Sequence, residues 1–298
     1  MYDVIIVGGG PAGLSAALVL GRSRRKVLLF DSGQYRNAAA RVVHGFLSRD
    51  GIDPSELRRI AREQLRPYDS VELKEVAVID VRRIDRGFEV TTIDGAVVTA
   101  RKLLLATGVV DEVPSVEGAA ELFGCGLHQC PYCDGWEVRD QPLGVYGRGD
   151  EKGGGLALEM KQWSEEITLC SDGPSELSPS CRERLRRRGV ALREERVIRF
   201  EPAGEGIRVV FESGAPIEFG AVFFNTGSRQ QSDLAKRLGC SFDERGGVCA
   251  GQYEATDVPG VYVAGDTSRD VLLAIVGAGE GCEAAVAINS ALVKEDRL

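Results

Sequence analysis

The sequence predicts an α/β protein built as two nested Rossmann-like domains, each a three-layer sandwich of helices around a mostly parallel sheet. Three observations predict it. Residues 3–8 are an apolar run that ends in glycine and opens a helix, and residues 142–146 repeat that arrangement ahead of Gly147. Ala106-Thr107-Gly108 closes one buried strand, and Asn225-Thr226-Gly227 closes another. The chain then returns to its first theme with residues 260–264 and Gly265-Asp266. No linker rich in Ser or Pro separates these parts, so the second domain reads as inserted: residues 1–112 and 229–298 frame residues 113–228.

The elements follow in order. Residues 3–8 read as a buried parallel strand, 11–20 as a helix and 26–30 as a second strand, a βαβ unit. Residues 53–66 read as a helix with Asp53 as N-cap and Pro54 in its first position. Residues 71–81 and 87–93 look like antiparallel strands followed by an Asp94-Gly95 turn, and 102–105 like another buried strand. In the inserted part, 142–146 is a strand, 155–164 a helix and 167–170 a strand. Residues 181–188 form a basic helix whose arginines read as a solvated face. Strands at 207–212 and 216–225 end the insertion, and a helix of small residues runs from Ala274 through Cys282.

Composition bounds the function. The chain has 298 residues, 43% hydrophobic and 28% charged, enough for a substantial core without staples. A net charge of −8 disfavours nucleic acid or an anionic membrane as the main partner. The apolar stretch 4–20 has no basic leader, is interrupted by glycines and is short for a membrane span. It reads as strand, turn and helix, and a cytoplasmic protein is expected. Of eight cysteines, only Cys130 and Cys133 have a spacing that suggests chemistry; the others read as buried free thiols.

The run Gly8-Gly9-Gly10-Pro11-Ala12-Gly13 contains Gly-x-Gly-x-x-Gly between a strand and a helix, the context that makes this a dinucleotide site. Gly8 permits the tight turn, Gly10 the approach of a pyrophosphate, and Gly13 close packing of helix on strand. The helix N-terminus supplies free N–H groups to the phosphates. Asp31, about 20 residues on, stands where an acid accepts from ribose hydroxyls. The motif suits FAD or NAD. The distal Gly265-Asp266 suits hydrogen bonding to a ribityl hydroxyl, which by itself leaves FAD and NAD open.

Cys130-Pro131-Tyr132-Cys133 can close a small disulfide ring, with one attacking and one resolving sulfur. Asp134 is the nearest carboxyl group for proton exchange with a leaving thiolate. Zinc is the competing reading, because Cys125, His128, Cys130 and Cys133 lie within nine residues. No second Cys-x-x-Cys or His-x-His pair accompanies them, so no metal is expected.

Together these pieces resemble the low-molecular-weight thioredoxin reductase family. Gly8–Gly13, Ala106-Thr107-Gly108, Cys130-x-x-Cys133-Asp134-Gly135, Val263-Ala264-Gly265-Asp266 and residues 274–285 occur in the family's order across nearly the whole chain. The resemblance implies an FAD domain from both chain ends, an inserted pyridine-nucleotide-like domain carrying the dithiol, and a homodimer. It implies that Cys133 faces the flavin, that Cys130 is the interchange thiol, and that Asp134 is the proton donor or acceptor. It places Ser32, Arg36, Asn37, His44, Ala77, Thr107, Gly108 and Ala274 among the flavin-binding positions, with Gly8, Gly10, Pro11, Ala12, Gly13, Asp31, Gly265 and Asp266. Residues 31–37, His44-Gly45 and the Cys-Pro-Tyr-Cys dithiol resemble one branch more closely. That branch includes gliotoxin- and holomycin-type dithiol oxidases and flavoproteins with impaired NADPH sites. Packing roles for His44, His128, Tyr132 and Trp136 remain open at this point.

The inserted domain departs from the family's pattern. Its stretch is Gly147-Arg148-Gly149-Asp150-Glu151-Lys152, with Lys152 in the third small position, so its helix is expected neither to pack as closely nor to start in the same place. One residue is inserted before the next strand. Cys170-Ser171-Asp172 replaces the His-Arg-Arg cluster of NADPH-using members, and an Asp there would repel a 2′-phosphate and leave no guanidinium to pair with it. Leu272-Leu273 replaces an Arg-Gln pair. NAD(P)H is therefore a doubtful donor.

The expectation is an FAD-dependent disulfide oxidoreductase that passes two electrons between FAD and Cys130/Cys133. Its partner is a thioredoxin-like protein or a small disulfide or dithiol, and its donor is unidentified. The alternative is an oxygen-dependent oxidase of small-molecule dithiols. A reading of another class is a flavin-bound redox sensor without turnover.

Overall fold

The computed structural model describes residues 1–268 and 271–297. Two compact units divide the chain. Met1–Ala38, Gly45–Val110 and the chain from Arg229 onward form the first; Ala39–His44 and Asp111–Ser228 form the second.

The first unit opens with β1 (Tyr2–Val7), α1 (Pro11–Arg22) and β2 (Val27–Phe30). Val4 to Val7 are all buried, without alternation, because a parallel strand between helical layers has no solvent face. Next come α2 (Pro54–Leu65), β3 (Val71–Lys74), β4 (Val78–Ile84), β5 (Gly87–Thr92) and β6 (Val97–Leu105). Asp53 caps α2 by accepting from the Ser55 and Glu56 amides. The stretch expected as one antiparallel strand over 71–81 is two strands. β3 pairs parallel with β2, whereas β4 pairs antiparallel with β5, so the chain must leave one ladder before it joins the other.

The second unit follows β7 (Val109–Asp111) and carries α3 (Ala119–Leu122), β8 (Leu127–His128), α4 (Pro131–Asp134) and β9 (Leu143–Tyr146). A π-helix over Gly149–Gly155 continues into α5 (Leu156–Met160), so the helix expected at 155–164 starts and ends earlier. Then come β10 (Ile167–Cys170), α6 (Pro179–Arg187, capped by Ser178), β11 (Ala191–Arg193), β12 (Val197–Ala203), β13 (Gly206–Phe211), β14 (Ile217–Phe219) and β15 (Ala221–Phe224). The parallel sheet runs β11-β10-β9-β15-β8, and β12-β13-β14 is a separate antiparallel meander. The strand expected over 216–225 is therefore split at Gly220 between two sheets.

β16 (Ser228–Gln230) pairs with β7, and α7 (Leu234–Arg237), β17 (Val261–Val263) and the 23-residue α8 (Ala274–Asp296) complete the first unit. Its sheet runs β3-β2-β1-β6-β5-β4, with β17 parallel to the C-terminal half of β6. Val4, Ile6 and Leu104 pack under Leu14, Ala17 and Leu20 of α1 and Ala284, Ile288 and Leu292 of α8. Ile5, Val7, Leu103 and Leu105 face the other layer with Phe88, Val90 and Leu234. The period-two split of neighbouring residues between two cores fixes the register and brings the C-terminal ends of β2, β1, β6 and β17 side by side. Among the described residues, no helix is long and apolar enough to cross a membrane.

Candidate functional site

In an open parallel sheet, ligands bind outside the carboxyl ends of the strands. Gly8 follows β1, Asp31 follows β2, Ala106-Thr107-Gly108 follows β6, and Gly265-Asp266 lies just beyond β17. Gly8 has φ +121°, and a Cβ there would strike the Ala106 carbonyl, so the turn requires glycine. A Cβ on Gly13 would strike the Gly8 carbonyl, which is how close α1 lies to the strand it leaves. A Cβ on Gly10 or Gly108 would meet nothing within 4 Å.

Two helices start in this crevice without a side-chain cap. α1 begins after Gly10 with Pro11 and Ala12, and α8 begins with Ala274 after Leu273. Their first-turn amides are free to bind an anion. The open space over Gly10 and the uncapped α1 terminus fit the pyrophosphate of a dinucleotide. Glu280, buried within α8, accepts the Gly265 amide at 2.7 Å and sets the turn that presents Asp266. Thr267 accepts the Gly108 amide at 2.8 Å and lies 3.5 Å from the Thr107 hydroxyl.

The remaining expected cofactor positions meet specific partners. Asp31 is 2% exposed. Its Oδ1 accepts the Gly33 amide, and its Oδ2 accepts both Tyr35 Oη at 2.7 Å and Arg62 Nη2 at 2.6 Å. Burial and then the Asp31 carboxylate push the Tyr35 phenol up from its ordinary range. Ser32 Oγ accepts the Gln34 amide. Arg36 donates to Asp266 Oδ2 at 3.3 Å, pairing two residues that the sequence offered separately. Asn37 accepts from Arg58, whose guanidinium lies 3.8 Å above the Tyr35 ring. Ala77 stands between β3 and β4, where its carbonyl accepts the Ile93 amide. His44 falls in the second unit, with Nε2 3.4 Å from Glu137 Oε1. Arg58, Arg62 and Thr267 went unread in the sequence, and Tyr35 and Glu280 entered it only within the motifs at 31–37 and 274–285, without a role.

In the second unit Cys130 and Cys133 form a disulfide, with Cα atoms 5.3 Å apart. Cys130 is the extended N-cap of α4, and its carbonyl accepts the amides of Cys133 and Asp134 at 3.2 Å. His128 Nδ1 lies 3.3 Å from Asp134 Oδ1, and Cys125 is a free, exposed thiol. Tyr132 and Trp136, which flank Cys133, are 67% and 66% exposed. Tyr132 packs edge-on against Trp163, and Arg139 lies 4.0 Å over Trp136.

The second glycine-rich turn corrects two expectations. Lys152 does not prevent close packing, because the extra residue is absorbed as the π-helix and Gly153 takes the packing position. A Cβ on Gly153 would lie 2.9 Å from the Gly147 carbonyl oxygen, the counterpart of Gly13 against Gly8. Asp172 does not project a free carboxylate at a phosphate. Its Oδ1 accepts the Val197 amide at 2.9 Å and its Oδ2 accepts Tyr146 Oη at 2.8 Å. A guanidinium does stand at this strand end. Arg148 donates to the Ser171 and Asp172 carbonyls and lies 3.5 Å from Glu176.

Comparisons with known proteins identify the family. The family model described as pyridine nucleotide-disulphide oxidoreductase matches residues 2–291. Thioredoxin reductase aclD of Aspergillus oryzae is 31% identical over all of this chain and 98% of its own. Thioredoxin reductase tcpT of Claviceps purpurea is 33% identical, covering 89% of this chain and 86% of its own. The crystal structure of HlmI superposes with a TM-score of 0.93 at 36% identity, covering 99% of this chain and 93% of that one. The chain belongs to the pyridine nucleotide-disulphide oxidoreductase family and is thioredoxin-reductase-like, an oxidoreductase of flavoprotein type.

Proposed function

For this member of the pyridine nucleotide-disulphide oxidoreductase family, we propose that two electrons pass between FAD in the first unit and the Cys130/Cys133 pair, and that NADPH is not the donor. The observation that carries the reading is the Cys130–Cys133 disulfide, with Asp134 in the same helical turn. Bound FAD supplies a two-electron acceptor and donor. The α1 N-terminus and the Gly10 opening hold its pyrophosphate, Asp31 its ribose, and Asp266 with Arg36 its ribityl chain. Ser32, Asn37, Ala77, Thr107, Gly108 and Ala274 line the rest.

The chain's own steps are thiol–disulfide exchange. In the reducing direction the Cys130 thiolate attacks a substrate disulfide and releases one substrate thiolate, which takes a proton. Cys133, having given its proton to Asp134, attacks Cys130 Sγ. The second substrate thiol leaves, and the Cys130–Cys133 bond is remade. The substrate gains two electrons and the dithiol loses two. Against NADPH stands the end of β10. It lacks a His-Arg-Arg cluster, and Arg148 is engaged by two carbonyls and Glu176.

A second reading runs the same exchange backwards, from a small dithiol to the flavin and then to oxygen. It is favoured by residues 31–37, His44-Gly45 and Cys-Pro-Tyr-Cys, which resemble the dithiol-oxidase branch. Anaerobic titration of the purified protein with NADPH, NADH and dithiothreitol, followed by flavin absorbance, tests both parts. Dithiothreitol is expected to bleach the flavin of the native protein but not of Cys130→Ser, and micromolar NADPH to leave it oxidised. Colourless protein that refuses FAD overturns the reading, and rapid bleaching by NADPH overturns its donor half. Hydrogen peroxide formed from dithiols in air selects the oxidase direction.

A further inference from the structure

We infer that His128 is a positioning residue for Asp134, holding one carboxylate oxygen so that the other is left to exchange a proton with the dithiol. The inference rests on the proposed role of Asp134 as proton carrier for Cys130 and Cys133. His128 ends β8, the two-residue edge strand of the inserted parallel sheet, where it lies in register with Phe223. Three contacts define its ring. The Phe223 ring lies 5.6 Å away at a 33° tilt and limits the ring's rotation. The Gly126 amide donates to Nε2 at 3.2 Å. Nδ1 lies 3.3 Å from Asp134 Oδ1, and the His128 side chain is only 13% exposed.

A nitrogen that accepts an N–H cannot carry a hydrogen of its own. The Gly126 amide therefore assigns the ring hydrogen of the neutral imidazole to Nδ1, the atom beside Asp134. Gly126 has φ +118°, a conformation that side chains rarely adopt, so the turn that aims this amide depends on glycine. Asp134 Oδ1 thus faces a donor of fixed identity. Oδ2 remains to take a proton from one sulfur and return it to another. His128 does not itself touch the sulfurs in this scheme; it acts through the carboxylate.

The two nitrogens give the test its selectivity. Asn reproduces a donor at the Nδ1 position, and Gln an acceptor at the Nε2 position. In the FAD-loaded protein, the rate at which dithiothreitol opens the Cys130–Cys133 disulfide is read by acid quench, alkylation and mass spectrometry. His128→Gln is expected to slow it about tenfold, less than the roughly hundredfold or more of a direct acid–base group, because His128 acts through Asp134. His128→Asn is expected to recover most of the loss. The double variant H128Q/D134N is expected to be no slower than D134N, because the two residues act as one unit. If D134N is as fast as the native protein, the role of Asp134 itself fails. If D134N is slow but H128Q is not, or if H128N and H128Q are equally slow, the positioning role fails while the reading of Asp134 stands.

A second measurement needs no variant at position 128. The chain has only two histidines, so nitrogen NMR of the oxidised protein shows two ring systems, separable with a His44→Gln sample. His128 is expected to carry its hydrogen on Nδ1. A hydrogen on Nε2 overturns the inference even if every His128 variant fails to fold.

Discussion

The Asp172 carboxylate accepts a hydrogen bond from Tyr146 Oη at 2.8 Å, tying the end of β10 to the end of β9. Its other oxygen accepts the Val197 amide at the start of β12. A residue that reads in sequence as a repulsive charge at a nucleotide site is thus a brace between three strands. Burial, and then this hydrogen bond, push the Tyr146 phenol above its ordinary range.

Tyr146→Phe is therefore expected to lower unfolding stability by about 1–2 kcal/mol, because it leaves a partly buried acceptor without its donor. Asp172→Ala is expected to cost more, since the Val197 amide is left unmet as well. Urea denaturation measures both. A D172A protein as stable as the parent would show that the brace carries no weight.

The π-helix gives neighbouring glycines opposite behaviour. A Cβ on Gly153 would crowd the Gly147 oxygen at 2.9 Å and the Arg148 nitrogen at 3.0 Å. Gly153→Val is expected to cost about 1–3 kcal/mol, as overpacking does. Gly155 has helical dihedrals (φ −62°, ψ −52°), and its Cβ would approach nothing closer than 3.4 Å. Gly155→Ala is expected to stabilise by about 0.5–1 kcal/mol, through the higher helix propensity of alanine. Thermal melts of the two variants should move in opposite directions.

Arg62 joins the buried Asp31 to the exposed Glu75, with both contacts at 2.6 Å. Arg62→Met is expected to cost about 1–3 kcal/mol by stripping a buried carboxylate of its charged donor. It is also expected to loosen FAD, because Asp31 loses its fixed orientation. Equilibrium dialysis against FAD, alongside chemical denaturation, separates the two effects.

Glu194 gives the inserted unit an acid-labile contact. Arg182, and then the Ser175 hydroxyl and amide, hold its carboxyl at about 2, below the ordinary 4.5. A carboxyl lowered in the folded state stabilises above the unfolded value, and that stabilisation is lost as pH falls from 4.5 towards 2. Glu194→Gln is expected to flatten the fall in melting temperature across this window. The effect is small, because the pair is half-exposed.

Burial sorts the free thiols. Cys170 is 1% exposed, and burial pushes its thiol up to about 12; Cys125 and Cys249 are exposed. Under native conditions, alkylation is expected to label Cys125 and Cys249 first and Cys170 last. Cys130 and Cys133 are expected to label only after dithiothreitol treatment. Peptide mass spectrometry reads the order.

Much of this protein was legible in the chain, wherever a short-range rule applied. The Gly8–Gly13 turn, the Asp53 cap on α2, the strand ends at Ala106 and Gly265, and the Cys130/Cys133 pair each depend on residues a few positions apart. The sequence by itself therefore determined the α/β class, the family and the Cys130/Cys133 pair. The tertiary structure decided which atoms meet across long separations. Arg62 on Asp31, Arg36 on Asp266, Tyr146 on Asp172 and Glu280 on Gly265 all depend on how parallel strands align and where helices pack over them. It also decided that Lys152 becomes a π-turn rather than a defect. A helix can widen by one residue when packing rewards it, and the cost of that widening is set by Gly147 and Gly153, which lie six positions apart in sequence and in contact in the fold. A local pattern fixes what a segment can form; only the contacts it makes fix which of its charged groups remain available for chemistry.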